Sequence, residues 1–415
     1  MKVLWFEISQ PCNYNNSSKT PIAGWQDALQ DYISKQKEIE LGIAFPCKKD
    51  NGVKIIDNVT YYPIKVKYNL IEKITTYLTH KTSRNKLIPI ALKVIEDYKP
   101  DIIHVFGSEH CWGQVVKYTK IPVVIHLQGS IPPYYDALYP PGYNIYNELF
   151  SNGLNIVKSI KSICTHFKMK TWKEQEIITL QSVNYYMGRT DWDKSIVNYF
   201  NPNAKYYYCS EALRPTFVSN KTKWTPKNNK TIKLISTGCS TYWKGMDTII
   251  KTAKLLKDKN IDFEWTIIGK MHIKECIEHK ERLLFSNLNF KLYGYLDATE
   301  VKNKLLDADI YIHAAYIDNS PNSICEAQYL GVPIIATYVG GIPSLLENNK
   351  DGILIPANEP YILAYNIIKL ASDIKKQKYY SENSFLKAHT RHNSSNIISD
   401  LLCCYTDIIN HNLNK

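Results

Sequence analysis

Several features are scarce or missing in this chain of 415 residues, and each absence removes a class of protein. Nowhere do eighteen apolar residues run together, so no membrane-spanning helix is expected. The apolar start is too short for a secretory signal and Glu7 interrupts it. Ten cysteines lie scattered from 12 to 404 without one Cys-x-x-Cys pair, which argues against a disulfide framework or a zinc site and suits a reducing cytosol. No five like charges adjoin, so a nucleic-acid-binding tail has no support. Glycine is held to 17 residues, and neither Gly-x-Gly-x-x-Gly nor Gly-x-x-x-x-Gly-Lys-Ser/Thr occurs, which leaves dinucleotide and P-loop readings without a motif.

What is present can fill large cores: 44% of residues are hydrophobic and 12% aromatic, and the length suits two or three domains. The formal charge of +12 is spread along the chain, with 26 basic and 19 acidic groups in residues 1–217 and 25 and 20 beyond. Such a diffuse field suits phosphorylated small molecules or an anionic lipid surface, and it equally serves solubility alone.

Short apolar runs alternate with helical patterns almost from end to end. Expected strands are Lys2–Ile8, Ile39–Phe45, Asp101–Phe106, Pro122–Leu127 and Val183–Met187, then Lys233–Ser236, Glu264–Ile268, Phe290–Tyr293, Ile310–Ala314, Pro333–Ala336 and Gly352–Ile355. Continuous apolar strands separated by helices imply parallel sheets covered on both faces. The polar, basic segment 215–230, with two prolines, reads as a linker between two doubly wound α/β domains. In such sheets ligands bind at the carboxyl ends of strands, and a cleft between two domains is the default site.

The most informative stretch is 309–356. A strand ends in the polar loop Asp318-Asn319-Ser320-Pro321-Asn322, and a helix starting near Asn322 and Ser323 carries Glu326 in its first turn. Free amides at that helix start form an anion site. Carboxylates there can also simply complement the helix dipole. Farther on come Gly331-Val332-Pro333 and Gly340-Gly341, and upstream stands Gly238-Cys239 followed by Lys244-Gly245.

These residues resemble the signature of the retaining GT-B glycosyltransferases of family 4 (glycosyl transferases group 1), in particular bacterial members that build surface polysaccharides. The match is an acidic residue, seven residues, then Glu-Ala, followed by a Gly-x-Pro strand and a Gly-Gly loop. Two departures stand out: Asp318 occupies a position usually held by Glu, and Cys239 one commonly held by Arg. Arg189 is a candidate for the missing charge. The resemblance is strong over 231–356, moderate over 101–215 and weak elsewhere.

The resemblance implies an α/β GT-B fold, two Rossmann-like domains facing each other across a cleft. Residues 1–215 would form the acceptor domain, 216–392 the donor domain, and 393–415 a terminal helix crossing back to the first. It further implies transfer of a sugar from a nucleoside diphosphate donor, UDP-sugar ahead of GDP-sugar, to a glycan or lipid-linked acceptor. Configuration would be retained, with no metal or other cofactor, as in a hexosyltransferase of the cytoplasm or the inner membrane face. Lys244, His126, Asp318 and Glu326 would form the catalytic set. Gly24, Gly238, Lys244, Gly294, Tyr295, Leu296, Asp318, Ser320, Asn322, Ser323 and Glu326 would bind the donor, and Glu109, His110 and Arg189 would lie on the acceptor side. Glu326 would take the ribose hydroxyls, Lys244 and the amides at Asn322–Ser323 the diphosphate, and Asp318 and His126 the sugar. A sugar-nucleotide epimerase of the same fold and a non-catalytic sugar-nucleotide-binding subunit are the alternatives.

Other motifs carry competing readings. Asp307-Ala308-Asp309 and Asp191-Trp192-Asp193 look like metal-binding pairs, but the first sits at a helix-to-strand junction ahead of Ile310, away from a strand's carboxyl end, and the second opens a helix. Glu211 and Arg214 could form an ion pair at the hinge. Ile156, Ile160, Ile163 and Phe167 recur at helical spacing among Lys158, Lys161, Lys168, Lys170 and Lys173, as in a helix lying on an anionic membrane or one packing its stripe on the domain. The Tyr- and Pro-rich segment 132–146 reads as a long loop beside the acceptor, and Cys403-Cys404 as part of an apolar terminal helix.

Overall fold

The computed structural model describes residues 1–14, 24–48, 52–79, 81–219, 222–227 and 229–413. It divides into two compact units: Met1–Tyr135 with Cys164–Ala212 and His392–Lys415, and Asp136–Ile163 with Leu213–Arg391.

The first unit holds strands β1 (Lys2–Phe6), β2 (Glu40–Pro46), β3 (Lys54–Ile56), β4 (Val59–Ile64), β5 (Ile102–Phe106), β6 (Val123–His126), β7 (Tyr185–Gly188) and β8 (Lys205–Tyr208). Their order in the sheet is β3-β4-β2-β1-β5-β6-β7-β8. Val3, Leu4, Trp5 and Phe6 of β1 are all buried, so neither face of this central strand meets water. That is why its sequence is continuously apolar rather than alternating. The sheet is parallel except at one edge, where β3 and β4 pair antiparallel. Their connection, Asp57-Asn58, has positive φ at both residues (50° and 64°), as a two-residue hairpin turn of type I′ requires.

The terminal helix Ser394–Leu413 belongs to this unit and buries Ile397, Leu401, Cys404, Tyr405 and Ile408 at helical spacing. The Tyr405 hydroxyl accepts a hydrogen bond from Trp5 Nε1 at 3.0 Å and lies 2.5 Å from His104 Nδ1, which ties the end of the chain to β1 and β5. Cys403, unlike its neighbour, is exposed.

The second unit holds β9 (Ile232–Thr237), β10 (Phe263–Ile268), β11 (Phe290–Tyr293), β12 (Ile310–His313), β13 (Ile334–Thr337) and β14 (Ile353–Ile355). All pair in parallel, in the order β11-β10-β9-β12-β13-β14. Chain direction across the sheet reverses between β9 and β12. The loops leaving these two strands therefore part and open a crevice at their carboxyl ends.

Three sequence expectations are corrected. Segment 215–230 is not a free linker over its described residues. Pro215–Val218 is a short helix with Phe217 buried, and Trp224 is only 2% exposed, its indole donating to Ala308 O at 2.7 Å and its amide to Leu330 O at 2.8 Å. Residues 220, 221 and 228 lie outside the described residues. Segment 132–146 is not one long loop but includes the helix Ile131–Asp136 and the start of Ile145–Ser151. Residues 136–163, counted with 1–215 from the sequence, cluster with the second unit. Tyr139 and Tyr143 pack against Tyr242, and the Tyr143 hydroxyl donates to Glu281 at 2.6 Å. Aromatic rings spread along a segment do not reveal in sequence which core they enter.

Replacing Trp224 by Ala removes a fully packed ring and strands the Ala308 carbonyl. The expected cost is about 3–5 kcal/mol, read as a lower urea midpoint. A change below about 1 kcal/mol would return this segment to the status of a linker.

Candidate functional site

The loops after β9 and β12 bring the principal expected residues of the second unit together. β9 ends at Thr237, and Gly238 follows with φ of +72° and open space where a Cβ would stand. The chain then makes a 3-10 turn, Tyr242–Lys244, and Gly245 caps the helix Met246–Asp258 with φ of +74°. A Cβ on Gly245 would lie 1.8 Å from the backbone oxygen of Ala314. The pair Lys244-Gly245 is thus set by contact: only glycine lets this loop press on the chain leaving β12.

That contact delivers Lys244 to Asp318, with Nζ 2.5 Å from Oδ2. The same oxygen lies 2.9 Å from His313 Nε2, and His313 Nδ1 lies 3.5 Å from the Tyr311 hydroxyl, which meets Thr237 at 3.2 Å. Asp318 is buried, which alone would push its carboxyl up. The charge of Lys244, followed by the hydrogen bond to His313, outweighs burial and holds it well below the ordinary carboxylate range. Burial lowers His313, opposed by Asp318, so its ring stays neutral at pH 7. The Gly340-Gly341 loop seals this arrangement. Gly341 N donates to the Asp318 carbonyl at 2.9 Å, and a Cβ on Gly340 would lie 1.9 Å from the same oxygen.

Glu326 sits one turn into the helix Asn322–Leu330 and is buried. Its two oxygens accept from Arg214 Nε at 2.7 Å and Nη2 at 2.8 Å, a forked ion pair. Asn322 and Ser323, at the open end of this helix, are half-buried, and Ser320 is buried beside Cys325. Gly294 has open space where a Cβ would stand, Tyr295 is 78% exposed, and Leu296 is half-buried on the core of this unit. Cys239 is buried, and burial pushes its thiol up to about 12, so it carries no charge.

The first unit alters several expectations. His126 is fully buried among Trp25, His104 and Phe106, and burial with the fields of His104 and Arg189 keeps its ring neutral. It is a core residue here and presents no surface to a sugar. Arg189 is no free cation: it is buried in an ion pair with Glu211 at 3.0 Å and stacks on Trp25 at 5.1 Å. The hinge pairing read from sequence is therefore replaced, with Arg189 taking Glu211 and Arg214 taking Glu326. Gly24 caps the helix Trp25–Ile33 in an unusual conformation (φ 22°, ψ −75°), while Ala23 beside it lies outside the described residues.

Glu109 and His110 line a cavity of about 140 Å³ with Arg84, Lys168, Trp172 and Gln175. Burial raises Glu109 to about 7, and burial with the nearby Glu109 charge raises Glu176, behind it, to about 8. Ser108 Oγ and the amide of Ile131 each donate to Glu176 at 2.7 Å. The discounted acidic pairs have local duties: Asp309 accepts from Lys233 N and Asp307 pairs with Lys233 Nζ, while Asp193 closes a capping box with Thr190.

His313 and Arg214 were missed as site residues. A histidine closing an apolar strand was the available signal for the first. Nothing local pointed Arg214 at a residue 112 positions away.

Sucrose-phosphate synthase from Thermosynechococcus elongatus superposes over 99% of both chains with a TM-score of 0.72 at 12% identity. Anabaena HepE in complex with UDP superposes over 98% of this chain and 100% of its own, with a TM-score of 0.63 at 12% identity. The fold is that of the GT-B glycosyltransferases, two Rossmann-like units in one chain. Residues 219–387 match the family described as glycosyl transferases group 1, the family that the sequence resembles. The amylovoran biosynthesis glycosyltransferase AmsK of Erwinia amylovora is 28% identical over 148 residues, 34% of this chain and 36% of AmsK. The chain spans between 36% and 45% of the length of the first curated relatives it matches.

The Lys244–Asp318 pair makes a prediction with a definite sign. A carboxyl held low stabilises the fold above its ordinary pKa, and this contribution is lost only as pH falls through the depressed value. In Lys244→Met, burial acts on Asp318 with one partner gone, so its pKa rises. Unfolding free energy at pH 7 should drop by about 3 kcal/mol, with a smaller loss near pH 4, and the double variant Lys244→Met/Asp318→Asn should recover most of it. Urea titrations at both pH values check this; an equal loss in the single and double variants would refute it.

Proposed function

We propose that the protein transfers a sugar from a nucleoside diphosphate donor, UDP-sugar ahead of GDP-sugar, to a glycan or lipid-linked acceptor in surface-polysaccharide synthesis. The observation that carries this reading is the convergence of Lys244, the helix start at Asn322–Ser323 and Glu326 at the β9/β12 crevice, inside the group 1 glycosyltransferase segment. When the glycosidic bond breaks, negative charge grows on the leaving diphosphate. A fixed ammonium and free helix amides stabilise that charge without reorganisation. Glu326 accepts from the ribose hydroxyls, and exposed Tyr295 borders the base. Asp318, tied to Lys244 and His313, fixes the cation's position beside the sugar. Retention of configuration and independence of metal belong to this reading through the family resemblance. In this reading the acceptor lies at the cavity lined by Glu109 and His110 in the first unit, where acid, cation and indole offer a polar sugar its partners.

The charge and apolar surface of residues 146–161 support an anionic membrane as the place of action. Tyr146, Phe150, Leu154, Ile156, Val157 and Ile160 are all exposed, with Lys158 and Lys161 among them. No described helix is long and apolar enough to cross a membrane.

Calorimetry with UDP, GDP and ADP tests the donor half. One nucleotide should bind, and a folded Glu326→Ala protein should lose that binding; normal affinity in the variant would remove Glu326 from the site. Transfer of labelled sugar to an extract-derived acceptor then separates the transferase from an epimerase, which makes a new sugar nucleotide with no acceptor, and from a subunit that binds without turnover.

For the membrane half, the protein should sediment with phosphatidylglycerol vesicles, and Lys158→Glu/Lys161→Glu/Lys168→Glu should abolish that. Wild-type protein that stays in solution, or a variant that binds unchanged, would end the idea.

A further inference from the structure

Arg214 meets Glu326 through a forked pair. Its guanidinium lies over the Phe217 ring at 5.0 Å, and Phe217 is fully buried, so the cation stands on a fixed platform. Nε and Nη2 are spent on Glu326, whereas Nη1 makes no hydrogen bond among the described residues. The side chain is 27% exposed, so one edge remains open, in contrast to Arg189, whose side chain is 3% exposed. Glu326 stands one turn into its helix, and helical side chains lean toward the N-terminus. The fork therefore holds Arg214 toward the end of the helix where the free amides of Asn322 and Ser323 gather.

Charge balance gives this placement its meaning. Asp318 and Glu326 bring two negative charges to the crevice, and Lys244 and Arg214 bring two positive ones. Without Arg214 the site would carry a net negative charge before any anion arrived. Lys244 is already engaged by Asp318, and the buried thiol of Cys239 carries no charge.

We infer that Arg214 is a donor-binding residue whose open guanidinium edge contacts the diphosphate of the nucleotide, the Glu326 pair holding it in position. The inference rests on the reading of this site as a nucleoside diphosphate site and names the second cation that serves it. A guanidinium fork can satisfy one carboxylate with two N–H groups and keep others for phosphate oxygens, which a point charge on a flexible stem does less well.

The test compares UDP with uridine, which shares base and ribose but lacks the diphosphate, using calorimetry for the first and ligand-detected NMR for the second. In Arg214→Gln, UDP affinity should fall about 10- to 100-fold, the scale of one charge-assisted contact, while uridine affinity stays within about twofold. Arg214→Lys, which keeps the charge and loses the fork, should restore part of the UDP affinity and leave uridine unchanged. Thermal melts confirm folding, and if the Gln variant does not fold, the Lys variant alone must still weaken UDP selectively. Unchanged UDP affinity, or an equal loss for UDP and uridine, would overturn the inference and reduce Arg214 to a support for Glu326. A wild-type protein that binds none of UDP, GDP and ADP would instead overturn the reading of the site itself, and this inference with it.

Discussion

The buried carboxylate of Asp318 is the constraint around which the second unit's site is arranged. A carboxylate without partners in such a place would protonate or unfold its surroundings. Lys244 prevents this, with His313 on the same oxygen. To bring the ammonium there, the loop after β9 must press on the chain after β12, and Gly245 permits it where any Cβ would collide with Ala314. To hold the Asp318 backbone, the Gly340-Gly341 loop must lie on its carbonyl, which again leaves no room for a side chain. Glycines that look in sequence like separate motifs are consequences of one electrostatic requirement.

The Glu326 pair follows the same logic with different chemistry. A buried carboxylate that stays ionised is well met by a planar, always-charged partner that engages it from one side. Arg214 does this from the segment that enters the second unit, and Trp224 and Phe217 anchor that segment to its core. In the first unit, Arg189 and Glu211 neutralise one another out of reach of water. The two arginines thus show opposite uses of one side chain, one sealed and one with an open edge.

Much of the fold was legible because buried parallel strands need no polar face. In the second unit β12, β13 and β14 read as short apolar runs, and all six strands lie within about a residue of where they are expected. The strands that escaped detection lie at or next to sheet edges: β3 and its neighbour β4 with their Asp57-Asn58 turn, and β8, whose Lys-Tyr-Tyr-Tyr is only partly covered. Among candidate site residues, Lys244, Asp318 and Glu326 were legible because loops at strand ends repeat a recognisable spacing. His126 was read as a ligand from its place at a strand end, yet packing by Trp25 and His104 makes it core.

By itself the sequence determined local matters: which segments are strands, where helices begin, where glycine is needed, and which family's spacing the second half follows. These depend on neighbours within a few residues, through burial period, capping and backbone freedom. Tertiary structure alone decided the partnerships. It settled that Arg214 meets Glu326 and Arg189 meets Glu211, that His313 joins Lys244 on Asp318, and that residues 136–163 enter the second core. Charges and rings are indifferent to sequence distance, and only folding brings groups a hundred residues apart to within 3 Å of each other.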